Sequence, residues 1–314
     1  MARYLVTGGS GFIGSNIVYE LLKRGQEVRV LDNFSTGRRQ NLTEVLDKIE
    51  LVEGDLRSAN IVQAAVRGID YILHLGALPS VPRSIADPEA STHVNISGTL
   101  NLLMAARDAG VRRVVLASSS SIYGDVAAEY KVETMPPNPL SPYAVSKIAA
   151  EYYFQVFNRV YGLETVCLRY FNVFGPRQDP TSQYSAVIPK FIRAIHTDQP
   201  PVIFGDGSQS RDFTFVYNVV HANLLAVETP GISGEVFNIA CGTNINLLEL
   251  VALINKTLNK NIAPILHPAR VGDVKHSCAD ISKAQSRLNY QVQVDFETGL
   301  QKTIEWYLGN GGLK

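Results

Sequence analysis

Arg3-Tyr-Leu-Val-Thr-Gly8-Gly-Ser-Gly11-Phe-Ile-Gly14 carries a short apolar run straight into a cluster of glycines. The run reads as a buried strand, and the residues beyond it read as a helix through Lys23 that Gly25 stops. Glycines at 8, 11 and 14 suit a tight turn, close approach of backbone to a pyrophosphate, and close helix–strand packing. The phosphates would then sit on the helix N-terminus. Glycines also punctuate ordinary turns, so the triplet counts only in context. Here a second strand, Glu27 to Leu31, ends in Asp32, 18 residues past Gly14. An acid there suits the 2′-hydroxyl of an adenosine ribose and repels a 2′-phosphate, which favours NAD over NADP. Arg38 and Arg39 follow closely and keep NADP as the lesser alternative.

Outward from this stretch, strands and helices alternate. Ile49 to Glu53 is a strand closing on Gly54-Asp55-Leu56, Ser58 to Val66 reads as a helix, and Tyr71 to Leu75 is a near-continuous apolar strand. Asp55 could bond an adenine amino group or cap the following helix. Pro88 to Gly110 reads as one long helix and Arg112 to Ser118 as the next strand. Thr165 to Phe171 makes one more. The alternation predicts an α/β fold, a Rossmann-type doubly wound parallel sheet with ligands at the carboxyl ends of its strands. From Asn172 the pattern turns irregular. The expected division is a dinucleotide domain over 1–172 and a smaller mixed α/β substrate lobe over 173–314, from which some segments return to the sheet.

Two stretches carry chemistry. Ser141-Pro-Tyr-Ala-Val-Ser-Lys147 reads as an N-cap, a proline at the first helical position, and Tyr143 and Lys147 as an i, i+4 pair on one helix face. A free tyrosine has a pKa of about 10, too high for a base near neutrality. An ammonium about 4 Å away favours the phenolate by about 4 kcal/mol at an effective dielectric of about 20, which makes a general base near pH 7 feasible. Tyr-x-x-x-Lys is also common on solvated helix faces. Upstream, Ala117-Ser-Ser-Ser-Ser-Ile-Tyr-Gly124 places four serines at a strand's carboxyl end, as a polar turn or as hydroxyls facing the ligand. Their place just before Tyr143 favours the second, with a hydroxyl that positions a sugar and relays a proton. Arg211, Arg270 and Asp273 sit in polar turns. Each arginine could clamp a diphosphate or stand as a surface charge.

Composition excludes several classes. The 314 residues carry 29 basic and 29 acidic side chains, so no basic face for nucleic acid is implied. No apolar run reaches a membrane span, and the N-terminus enters a strand instead of a signal sequence, so a cytoplasmic protein is expected. Cys167, Cys241 and Cys278 form neither a disulfide framework nor a metal pattern.

Thr7-Gly-Gly-Ser-Gly-Phe-Ile-Gly14, the Ser119/Tyr143/Lys147 trio and Leu168-Arg-Tyr-Phe-Asn-Val-Phe-Gly175 together resemble the extended short-chain dehydrogenase/reductases, and among them the UDP-sugar 4-epimerases. The likeness spans essentially the whole chain. It implies that Gly8, Gly11, Phe12, Ile13 and Gly14 hold the NAD pyrophosphate, that Asp32 and Asn33 hold the adenosine ribose, and that Asp55 and Leu56 hold the adenine. Leu75, Gly76, Ala77 and Asn95 are expected on the cofactor as well, with Tyr143 and Lys147 beside the nicotinamide and its ribose. Ser119 matches the family's catalytic Ser/Thr, with Ser120 beside it on the substrate. Asn172, Arg211, Arg270 and Asp273 match UDP-contacting positions. A homodimer through helices 88–110 and 142–161 is also implied.

The same resemblance weighs against sister activities. The 4,6-dehydratases carry Thr-Asp-Glu where this chain has Ser119-Ser120-Ser121, and the UDP-glucuronate decarboxylases carry a glutamate at Ser121. Pro79 stands where the UDP-glucose-specific branch has a lysine. Ser277 matches a sugar-pocket position that a tyrosine closes in glucose-specific members, so room for a 2-N-acetyl group is expected, with Gln178 and Ala186 completing the wall. The implied reaction inverts C4 of UDP-glucose/UDP-galactose, and of UDP-GlcNAc/UDP-GalNAc, through a 4-keto sugar. Rival readings are a UDP-glucuronate 4-epimerase or net oxidoreductase, with Arg83 or Arg177 meeting a carboxylate, and a non-catalytic dinucleotide sensor on the same fold.

Overall fold

Each strand–helix–strand crossover returns the chain to the same end of the sheet, which is why the pairing is parallel throughout. In the computed structural model, which describes residues 1–180, 186–268 and 275–309, the first six strands are β1 (Arg3–Thr7), β2 (Glu27–Asp32), β3 (Glu50–Glu53), β4 (Tyr71–His74), β5 (Arg113–Ser119) and β6 (Glu164–Tyr170). With the strand Val236–Ile239 they form one seven-stranded sheet in the order Val236–Ile239, β6, β5, β4, β1, β2, β3. Every neighbouring pair is parallel. The chain builds outward from β1 to β3, then crosses back to β4 and builds the other way. A crevice therefore opens at the carboxyl ends of β1 and β4. Thr7, the last residue of β1, stands in register with Leu31 on one side and His74 on the other.

Both sheet faces are covered, as continuous apolar strands require. Phe12–Lys23 and Val216–Glu228 cover one face and bury Ile17, Leu21 and Val219 against Val30 and Phe237. Ala59–Val66, Gly98–Asp108 and Pro142–Tyr161 cover the other, burying Val62, Leu102 and Phe154 against Ile72 and Val114. Each such side chain contributes about 1.5–3 kcal/mol when fully buried. The helix Pro142–Tyr161 begins as its sequence dictates. The Ser141 hydroxyl accepts from the Ala144 N–H at 3.2 Å, Pro142 takes the first position, and Gly162 ends the helix at φ 70°.

Residues 173–314 do not form a wholly separate lobe. Val216–Glu228 and Val236–Ile239 return to the large sheet. Outside it, the helices Val187–His196, Leu247–Leu258 and Phe296–Gly309 are joined by very short pairings: Val173–Phe174 with Thr214–Phe215, Val202–Phe204 with Ile265–His267, and Ser210–Arg211 between Ile245–Asn246 and His276–Ser277. An aromatic cluster replaces sheet area as the source of cohesion there. Phe174 lies 5.6 Å from Phe215 and 5.4 Å from Phe296, centroid to centroid.

The long helix expected over 88–110 is interrupted. Pro88–Thr92 leads into a π turn at His93–Ser97, and only then does Gly98–Asp108 run as α-helix. Such turns add a residue and re-aim a side chain. Here the side chain is Asn95. Among the described residues no helix is long and apolar enough to cross a membrane.

Candidate active site

The crevice holds a cavity of about 380 Å³. Its floor is the glycine turn. Gly8 has φ +69°, and a Cβ there would come within 2.8 Å of the Gly76 nitrogen; one on Gly14 would lie 2.2 Å from the Gly8 carbonyl oxygen. Only bare backbone fits, so the turn is open to a phosphate group at the start of Phe12–Lys23. Gly8, Gly11, Phe12, Ile13 and Gly14 line the cavity, followed by Asp32 and Asn33, Asp55 and Leu56, and Leu75 to Ala77. These are the ends of β1, β2, β3 and β4 in turn. The donor set fits a dinucleotide, with a pyrophosphate cradle at one point and an acid at the ribose position.

Two carboxylates are set by local bonds. Asp32 accepts from the Ser10 N–H at 2.9 Å and the Phe34 N–H at 2.8 Å, which locks the acid against the glycine turn. Asp55 accepts from Arg57 through both backbone and side chain, and from the Asn33 amide at 2.7 Å. The Arg57 bonds chiefly draw its pKa down to about 2. Asp55 thus both borders the cavity and shapes the turn after β3, while Ser58 takes the N-cap position of the next helix. The two arginines that left NADP open are engaged elsewhere. Arg38 is paired with Asp179, and Arg39 is paired with Glu53 and lies over the Phe34 ring.

Asn95 stands behind the cavity wall, although it was expected on the cofactor. Its side-chain oxygen accepts from the Leu78 N–H at 2.7 Å, and its nitrogen donates to the Ser146 hydroxyl at 3.0 Å. It braces the loop after β4. The same loop is held by a directional chain that the sequence did not announce. The Gly76 N–H donates to the Thr7 hydroxyl (3.0 Å), which donates to His74 Nδ1 (2.7 Å); His74 Nε2–H donates to Thr99 (2.9 Å), which donates to the Asn95 carbonyl (2.6 Å). That order requires neutral His74. Burial, and secondarily the Lys147 charge, take its pKa down to about 3.

Tyr143 and Lys147 face the cavity beside Ala117, Ser118 and Tyr170. Ser119, the last residue of β5, accepts from the Ser121 N–H at 3.1 Å and lies close enough to Tyr143 to oppose the upward shift of its phenol. The Tyr143 N–H donates to the buried Ser84 hydroxyl at 3.0 Å, fixing the start of the helix. The expected tuning of the phenol by the lysine needs correction. Lys147 Nζ donates to the Ala117 carbonyl at 2.8 Å and lies 5.8 Å from the Tyr143 ring centroid. Burial pushes the Tyr143 pKa up, Ser119 opposing it, and brings Lys147 down to about 8. Burial thus works against both charged forms, and the helical spacing alone does not set the phenol's acidity.

The substrate-side residues meet elsewhere, on the Ser210–Arg211 strip. Ser277 is in register with Arg211, and the Asn172 amide donates to the Asp212 carbonyl at 3.0 Å. Asn172 has φ 33°, a strained value for a residue with a side chain. Arg211 donates to the Ser210 and Lys275 carbonyls at 2.9 and 3.3 Å. Gln178 reaches the dinucleotide cavity. Ser120 opens the turn Ser120–Tyr123 outside the cavity lining, and Ala186 is an exposed residue at the start of Val187–His196. Arg270 and Asp273 lie outside the described residues. Asp212 was missed: its carboxylate gathers the N–H groups of Cys241, Gly242 and Ala279 at 2.9, 2.9 and 3.3 Å, and burial raises its pKa to about 6. Thr36, Gly37 and Val94 line the cavity and were missed too.

A family model described as the NAD dependent epimerase/dehydratase family matches residues 4–240. A UDP-glucose 4-epimerase of Mycolicibacterium smegmatis is 40% identical over 314 residues, covering 97% of this chain and 98% of the relative. Among solved structures, a UDP-N-acetylglucosamine 4-epimerase from Methanobrevibacter ruminantium in complex with UDP-N-acetylmuramic acid superposes with TM-score 0.94 at 39% identity, covering 98% of this chain and 99% of the other. A Thermotoga maritima UDP-glucose 4-epimerase with UDP-glucose gives TM-score 0.93 at 35% identity, covering 98% and 99%. With a glycine cradle, an anchored acid at the ribose position and these likenesses over nearly its full length, the chain belongs to the NAD dependent epimerase/dehydratase family.

Proposed function

We propose that this protein is an NAD-dependent UDP-sugar 4-epimerase that acts on UDP-glucose/UDP-galactose and accepts UDP-GlcNAc/UDP-GalNAc. The observation that carries the reading is that Tyr143 and Lys147 face the cavity whose floor is the glycine turn, with Ser119 ending the strand beside them. NAD⁺ held by the glycine turn, Asp32 and Asp55 would supply the hydride acceptor and donor that inversion at C4 needs. Tyr143 takes the O4 proton and returns it. Ser119, whose oxygen already accepts from Ser121, passes its own proton along the same line. Lys147, fixed on the Ala117 carbonyl, supplies charge beside the ring and a donor toward the ribose. Asn172 and Arg211, with Arg270 and Asp273, hold the UDP, so that the sugar can turn while its nucleotide stays anchored.

Serines at 119, 120 and 121 leave that turn without the extra acid that elimination or decarboxylation needs. The small Ser277 beside Arg211 supports space for an acetylated sugar. Arg177, one candidate for meeting a glucuronate carboxylate, donates to Asn16 at 3.2 Å with its guanidinium 3.9 Å from the Tyr19 ring centroid, which argues against that use. Residues 173–314, apart from the segments that rejoin the sheet, are the UDP-sugar side in this reading. A homodimer is supported by Val145, Tyr152, Val156 and Val160, exposed at helical spacing on Pro142–Tyr161. A single-chain mass in solution removes it.

The deciding experiment is incubation with UDP-glucose, UDP-GlcNAc and UDP-GlcA separately, with no added NAD, reading C4 epimers. Turnover of the first two is expected. Turnover of UDP-GlcA alone, or stoichiometric release of NADH, replaces the reading with a glucuronate epimerase or a net oxidoreductase. No turnover together with retained dinucleotide would favour a sensor.

A further inference from the structure

Directly beneath the reacting hydroxyls lies a layer of almost wholly buried charges, with Lys147 at the cavity and Glu151 and Arg169 behind it. Glu151 is 0% exposed, Arg169 4% and Lys147 6%. Glu151 follows Lys147 by four residues, as Lys147 follows Tyr143, so the three share one helix face. Arg169 grips the Glu151 carboxylate through Nε at 3.0 Å and Nη2 at 2.7 Å, and donates through Nη1 to the Tyr123 hydroxyl at 2.8 Å. The Ser118 hydroxyl donates to the same carboxylate. Two consecutive residues at the end of β5 are thereby tied to two turns of one helix, Ala117 to Lys147 and Ser118 to Glu151, and the next residue, Ser119, ends the strand beside Tyr143. We propose that Glu151 is a positioning residue for the reaction: pinned by Arg169, it balances the Lys147 charge and, through Ser118, sets where Ser119 stands against Tyr143. The inference rests on the reading of Ser119, Tyr143 and Lys147 as the catalytic set.

The groups around Lys147 leave Glu151 as its electrostatic counterweight. From its own helix come Tyr143 and Glu151; from β4, His74, held neutral; from β5, the Ala117 carbonyl; from β6, Arg169 and Cys167 behind the carboxylate. Burial drives Lys147 toward its neutral form, and the Glu151 charge resists this. A buried guanidinium left without its carboxylate would also be costly.

The test compares pH–rate profiles. Glu151→Gln removes the charge but leaves Arg169 half-partnered, so the double variant Glu151→Gln/Arg169→Gln is made alongside it, keeping the layer neutral and able to pair. In whichever of these variants folds, the alkaline limb of kcat is expected to move down by about one pH unit, with kcat about 10-fold lower at pH 8.5 and KM for the UDP-sugar little changed. Glu151→Asp keeps the charge and is expected to keep the limb in place even where kcat falls. A folded charge-removal variant with the wild-type limb overturns the role of Glu151, as does a Glu151→Asp limb that moves with the neutral variants. Tyr143→Phe is run in parallel, with collapse of kcat and retained dinucleotide expected. If Tyr143→Phe stays active, the catalytic reading itself falls; if it is dead while the limb stays fixed, only Glu151 is removed from the mechanism.

Discussion

The two halves of the site are built differently. On the dinucleotide side, residues 8–14, 32–37, 54–56 and 75–78 each follow directly on the end of a parallel strand, and together they enclose a cavity. On the proposed sugar-nucleotide side, Asn172, Arg211 and Ser277 are separated by 39 and 66 positions and meet through strands of two residues. The sheet supplies the first arrangement almost automatically, because parallel strands present their carboxyl ends at one edge. The second depends on Asp212, whose buried carboxylate fastens the backbone N–H groups of Cys241, Gly242 and Ala279 to the Arg211 strip. One half is a property of the fold; the other is an assembly that a few polar contacts hold together.

If that division is right, the halves should fail independently. The largest effect is expected from Gly14→Ala, where the new Cβ meets the Gly8 carbonyl oxygen at 2.2 Å with only backbone to yield. The turn must open, at a cost of about 3 kcal/mol. Purified protein is expected to lose its bound dinucleotide while calorimetry still detects UDP binding. Loss of UDP affinity to the same degree would make the two halves one unit. Next comes Arg211→Ala. Removing a cation placed for a diphosphate should raise KM for UDP-sugars by about 10- to 100-fold, with dinucleotide content unchanged. A variant that sheds its cofactor would break the comparison from the other side. The smallest expected change is in Ser277→Tyr, which sharpens the picture within the sugar half. Turnover of the acetylated pair should fall about 10-fold relative to UDP-glucose, and an unchanged kcat/KM ratio removes Ser277 from the pocket wall.

The legible residues are those whose task is done close to home in sequence. The glycine triplet, the acid at the end of β2 and the capped start of the tyrosine helix all belong to turns of a few residues, where spacing fixes geometry. Reading failed where burial or a distant partner took control. Asn95, expected on the cofactor, also bonds Leu78 and Ser146 from a π turn, bracing the loop after β4 in a way its sequence context did not indicate. Lys147 is one turn from Tyr143 as its spacing required, yet its ammonium goes to the Ala117 carbonyl and its pKa falls. Spacing gives adjacency; it does not give dielectric. Nothing in the sequence sets Glu151 and Arg169 apart from other charges, and only packing removes both from water. Arg38 and Arg39 seemed available to a 2′-phosphate until Asp179, Glu53 and Phe34 were seen to hold them.

Period and punctuation along the chain were enough to specify a parallel sheet, a dinucleotide turn after its first strand, and a tyrosine–lysine pair on a capped helix. These follow from interactions within about a dozen residues, which any stretch of chain carries with it. The return of Val236–Ile239 to the sheet edge, the meeting of residues 172, 211 and 277, and the sealed charges under Tyr143 came only with the folded molecule. Their energies depend on how much water has been expelled and which distant group has arrived, and neither quantity is written in local order.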